Sequence, residues 1–148
     1  LLADWVESTG SDINFVRTPA IANDYWRILG RAYFTLDQME VLEGKHMAMF
    51  RAIHQSRSDL STPEALIDFI EENGVDRDKF ESTYHSTQVD SAINRADQMA
   101  RRLKVATVPT IVIQGKYLVR TTRSIGQIRM LDVMDYLVGL EQQPQTSN

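Results

Sequence analysis

The chain has 148 residues, 43% hydrophobic and 24% charged, which suits one domain able to bury about two thirds of its unfolded surface. Sixteen basic and twenty acidic side chains are interspersed, for a formal charge of −4, so no basic stripe invites nucleic acid. The cysteine count is zero, which excludes a disulfide framework, a cysteine zinc site and a thiol nucleophile within these residues.

The opening LLADWVESTG puts Leu1, Leu2, Trp5 and Val6 at helical spacing, with no N-cap residue and no polar lead-in before them. It reads as the second half of a helix, and a truncated start is the expectation. No apolar run approaches the ~18 residues of a membrane span and no basic-then-apolar leader is present, so mature, soluble material is expected. Next, INFVRTPA (residues 13–20) has β-branched and aromatic residues between breakers and predicts a short strand ended by Pro19.

From Asp24 the pattern turns helical. Tyr25, Ile28, Leu29, Ala32, Tyr33 and Leu36 fall on one face, and Met47, Phe50, Ile53 and His54 on one face of the next segment. STPEALIDFIEENG is punctuated by Thr62 as N-cap, Pro63 at the first helical position and Gly74 just past the end, around apolar Leu66, Ile67, Phe69 and Ile70. Phe80 and Tyr84 predict a short helix after Asp76. Val89, Ile93, Ala96, Ala100 and Leu103 predict a long one.

TIVIQ and KYLVR then flank Gln114 and Gly115, a hairpin whose glycine supplies the positive φ of a tight turn. A last amphipathic helix carries Ile128, Leu131, Val133, Met134, Leu137 and Leu140 before a polar tail. The block from 24 to 104 is several times longer than the dozen or so residues of a strand crossover, so it reads as a helical subdomain inserted into a small α/β unit. Three short strands are too few for a sheet covered on both faces, and a further strand is expected before Leu1.

Pro109 stands at the mouth of the first hairpin strand, where it has no N–H for a ladder. Spacing alone leaves open whether its peptide bond is cis or trans. The histidines His46, His54 and His85 lack metal-ligand spacing and read as packing or surface residues; the six methionines read as core filler.

INFVRTPA, MFRAIHQ, STPEALIDFIEENGVDRDKF, SAINRADQMARRLKV and VPTIVIQGKY, taken in order, resemble the DsbA family of thioredoxin-fold disulfide oxidoreductases over essentially the whole chain. The resemblance implies an α/β, thioredoxin-like fold with an inserted all-helical subdomain, N-terminally truncated. Residues 1–22 would be thioredoxin-fold, 23–104 the helical insert, 105–142 the remaining thioredoxin-fold part and 143–148 a tail. It implies a cis Val108–Pro109 bond and a substrate-binding loop of Thr107, Val108, Pro109 and Thr110, with Val108 offering its N–H and C=O to an extended peptide. A C-x-x-C motif at a helix N-terminus is expected upstream of Leu1, and Arg17 matches a basic position of the family.

The implied function is introduction of disulfide bonds into secreted or periplasmic proteins, with these 148 residues alone inactive because the redox cysteines are not among them. Implied partners are reduced, unfolded or partly folded secreted proteins and a membrane quinone-linked reoxidase of the DsbB type. A periplasmic location with its signal peptide outside these residues is implied, with no cofactor, metal or nucleic acid. The alternatives are a non-redox thioredoxin-like peptide-binding module and a relative of the kappa-type glutathione transferases and isomerases.

Overall fold

The computed structural model describes residues 1–10, 13–55, 59–122 and 126–142. The elements in chain order are α1 (Leu2–Thr9), α2 (Asp24–Gln38), α3 (Leu42–His54), α4 (Pro63–Glu72), α5 (Arg77–Tyr84), α6 (Thr87–Arg102), β1 (Thr110–Ile113), β2 (Tyr117–Arg120) and α7 (Gln127–Gln142). They form two units, one of Leu1–Arg17 with Ala100–Asn148 and one of Thr18–Met99, with both junctions a few residues earlier than 22/23 and 104/105. The tail expected at 143–148 lies outside the described residues.

In the helical unit, local chemistry sets where each helix starts. Side chains of Asn23, Thr62 and Asp76 accept hydrogen bonds from the N–H groups of Trp26, Ala65 and Lys79, satisfying donors that a first turn leaves unpaired. The ends are equally regular. At Glu40 and Gly74 the chain turns left-handed, with φ of 60° and 81°. The next residue's N–H then reaches back to the carbonyl of Leu36 or Ile70, the Schellman termination. A valine follows the turn both times, Val41 and Val75, and Val75 is buried with Ile70 in the core.

That core gathers Ala32 and Leu36 of α2, Met49 and Ala52 of α3, Leu66, Ile67 and Ile70 of α4, and Phe80 and Tyr84 of α5. Each large side chain so buried contributes about 1.5–3 kcal/mol. The Arg31 guanidinium ties three helices together: it donates to the Asp90 carboxylate at 2.7 Å and the Tyr84 carbonyl at 2.8 Å, and lies 5.1 Å from the Tyr84 ring centroid. Gly30 permits the closest approach, since a Cβ there would stand 2.5 Å from the Ile21 Cδ1.

One expected face is corrected. Met47 and Phe50, placed by periodicity on the packing face of α3, are each 48% exposed, and Met49 and Ala52 are buried instead. A helix with apolar residues on two stripes buries the stripe its neighbours cover, and here the covered stripe includes Leu42 and Ile53.

In the other unit, β1 and β2 pair antiparallel with Thr110 opposite Arg120 and Ile113 opposite Tyr117. Gln114 and Gly115 both have positive φ, 50° and 67°, and the Lys116 N–H closes the turn on the Ile113 carbonyl at 2.9 Å. Ile113 and Val119 point to one face, where Trp5, Met130 and Met134 cover them.

Two expectations change in this unit. Residues 13–20 form no strand, because β-rich sequence becomes a strand only where a ladder partner exists, and the sheet of the described residues holds β1 and β2 alone. Ile13 still packs against the core. On α7, Met130 and Met134 are the buried residues, while Ile128, Val133 and Leu140 of the expected apolar stripe are exposed. The narrow hairpin covers one arc of the helix and leaves the rest to solvent. The methionines divide likewise: Met49, Met130 and Met134 fill cores, whereas Met47 and Met99 are exposed.

Glu40 holds a conformation that costs a non-glycine residue about 1 kcal/mol. Glu40→Gly is expected to raise stability by up to about that amount, read as an increase in the urea midpoint with an unchanged slope.

Candidate functional site

The candidate site begins where α6 ends. Lys104, at φ 54°, turns the chain left-handed; its N–H reaches the Arg101 carbonyl and the Val105 N–H reaches that of Ala100. This is the same Schellman closure seen at Glu40 and Gly74, and it ends the helix before residues 105–109. The Val108–Pro109 bond is cis. Thr107, Val108 and Pro109 are exposed, with Val108 at 52%, and Thr110 opens β1. The Thr110 hydroxyl donates to the Thr107 carbonyl, tying the two ends of the loop together.

Three of the four residues singled out from the sequence thus lie in one short exposed loop, and the fourth, Thr110, begins the strand that follows it. They offer backbone amides and two hydroxyls, groups suited to hydrogen bonding and not to proton transfer. Arg17, the other residue noted, lies with its guanidinium 5.2 Å from the Phe15 ring centroid.

The hairpin carries the site beyond the loop. Arg120 is the cross-strand partner of Thr110, so it stands directly beside the loop's exit. From there a groove of about 440 Å³ runs along β2 against α7, its apolar lining supplied mainly by Leu118, Val119, Met130, Val133 and Leu137. At its far end Lys116 donates to Glu141 at 2.6 Å, and the Tyr117 hydroxyl also donates to Glu141, at 3.3 Å. The hydrogen bond from Lys116 is the main cause holding the Glu141 carboxyl below its usual range, and the same pair raises Lys116.

Sequence reasoning missed this groove. Alternation in YLVR signals that Leu118 and Arg120 share a face, but the wall from α7 exists only once the helix packs on the hairpin. That packing is pinned by the Trp5 indole N–H, which donates to Asp135 at 2.6 Å across 130 positions of sequence. The Trp5 carbonyl in turn accepts the Ser8 and Thr9 hydroxyls.

A family profile described as the DSBA-like thioredoxin domain matches residues 2–137. The chain belongs to that family. It is 36% identical over 95% of its length to the thiol:disulfide interchange protein DsbA of Pseudomonas aeruginosa, and spans 66% of that relative, just under two thirds. The crystal structure of DsbA from Pseudomonas aeruginosa superposes with a TM-score of 0.88 at 36% identity, covering 95% of this chain and 73% of that one. DsbA from Xylella fastidiosa gives 0.85 at 30% identity, covering 95% and 75%. A Proteus mirabilis DsbA, solved with the peptide PWATCDS bound non-covalently, shares the fold at 18% identity and a TM-score of 0.66, over 82% of this chain and 67% of that one. The DSBA-like fold is thus the thioredoxin-like architecture expected from the sequence.

Two outcomes follow from the clips that shape this DSBA-like site. Asp135→Ala, which strands the buried Trp5 N–H, is expected to cost about 1–3 kcal/mol in denaturant unfolding, with Asp135→Asn recovering part because it keeps an acceptor. Glu141 has a lowered folded value, so its stabilisation is present above the ordinary glutamate range and is lost as pH falls through the folded value. Glu141→Gln is therefore expected to flatten that part of an acid titration of the unfolding midpoint.

Proposed function

We propose that the protein carrying these residues is a DsbA-type thiol:disulfide oxidoreductase that introduces disulfide bonds into secreted or periplasmic proteins. The observation that carries the reading is the 36% identity to a thiol:disulfide interchange protein over 95% of the chain. These 148 residues contain no cysteine, so in this reading the C-x-x-C pair is supplied by residues outside them, on the N-terminal side of α1.

A thiol at a helix N-terminus is acidified by the dipole and unpaired N–H groups, which makes it a good leaving group and stabilises the reduced state. The disulfide form is then the oxidant: a substrate thiolate attacks it, a mixed disulfide forms, and a second substrate thiol releases the reduced enzyme. Thr107, Val108, Pro109 and Thr110 hold the substrate near that pair. The exposed Val108 adds one rung of β-type pairing to an extended segment, and the groove along β2 receives the segment's continuation. Substrates are reduced, unfolded or partly folded secreted proteins, a DsbB-type membrane reoxidase regenerates the disulfide, and the compartment is the periplasm.

The test compares the 148-residue chain with the longer gene product in oxidation of a reduced dithiol peptide. The short chain is expected to give only the uncatalysed rate, because it has no thiol to exchange. The longer product is expected to contain a C-x-x-C pair and to oxidise the peptide. A longer product with no cysteine, or with one and no activity, would overturn the oxidoreductase reading; the former would favour a peptide-binding module.

A further inference from the structure

We propose that Arg120 gives the groove a preference for extended peptide segments with an acidic side chain just beyond the residue lying on Val108. This rests on the peptide-holding role proposed above for the 107–110 loop and deepens it by naming a substrate class. The groove has two cationic lining residues, one at each end of β2, and they differ in state. Lys116 is already neutralised by Glu141 at 2.6 Å. Arg120 is exposed, and its side chain makes no ion pair or hydrogen bond among the described residues. Between them lie Leu118, Val133 and Leu137, which suit an apolar stretch.

Position decides which part of a bound segment meets the free charge. Arg120 is the cross-strand partner of Thr110, one residue past Pro109, so a chain leaving the loop and entering the groove passes Arg120 first. A guanidinium on an apolar-lined groove favours a carboxylate, which it engages with paired N–H donors.

A second copy of the chain fits less well. Two β2 strands paired antiparallel about Leu118 would set Arg120 of each against Lys116 of the other, whose carboxylate partner Glu141 is already engaged, so the pairing offers the Arg120 guanidinium no free carboxylate. The occupant matching both the apolar lining and the free charge is a separate, acidic, extended segment.

The experiment measures fluorescence anisotropy of labelled short Thr/Val peptides, each with Asp, Asn or Lys walked through the sequence, on the 148-residue chain. At one position Asp is expected to bind about three-fold tighter than Asn, the size of one solvent-accessible ion pair, and the advantage shrinks with added salt. Arg120→Gln removes the difference, Arg120→Lys retains most of it, and Arg120→Glu shifts the preference to Lys. Because Arg120 is exposed, these variants are expected to fold, which unchanged unfolding midpoints verify. Peptides that bind with no Asp advantage, or with one that survives Arg120→Gln, would overturn the specificity and leave the loop's role standing. If no peptide binds at any position, both that role and this inference fall.

Discussion

A hydrogen bond from the fifth residue to the hundred and thirty-fifth holds together the unit that carries the 107–110 loop. Two antiparallel strands in water are marginal at best, and β1 and β2 are the whole sheet of the described residues. What stabilises them is a cover of Trp5, Met130 and Met134 over Ile113 and Val119. Burying an indole is favourable only if its N–H keeps a partner, and Asp135 is that partner. The hairpin register, the loop that feeds it and the groove beside it all depend on α1 and α7 lying on one face of this small sheet.

The helical unit reaches the same end by repetition. The endings of α2, α4 and α6 use one device: a left-handed residue followed by a valine, with two backbone hydrogen bonds closing on the last turn. In α2 and α4 it delivers the chain to the next helix. At α6 it delivers the chain to Thr107, Val108 and Pro109, so the device that organises the helices also presents the loop. The loop so placed is exposed, since α6 stops before it.

Much of this was readable from residue order. Thr62, Pro63 and Gly74 bracket α4 because capping and termination are local chemistry, and Gly115 marks the hairpin for the same reason. The Schellman endings at Glu40 and Lys104 were not readable, since neither position is the glycine that announces such a turn. The packing face of α3 was misread because Met47 and Phe50 are as apolar as Met49, and periodicity ranks stripes without knowing which one a neighbour covers. The loop 107–110 was found from its proline and its resemblance. Arg120 was not, since its place beside the loop is a fact of strand register.

By itself the amino-acid sequence determined the helices, the caps of α4, the hairpin, the loop before it and the family, because each rests on residues close together in the chain or on a pattern of many matches along it. Only the tertiary structure decided that residues 13–20 form no strand, that α7 turns Val133 and Leu140 outward, and that β2 and α7 enclose a groove with the Arg120 guanidinium at its mouth. These depend on which surfaces meet. Burial is a property of pairs of surfaces, and strand pairing of pairs of backbones, so neither is written in any one segment.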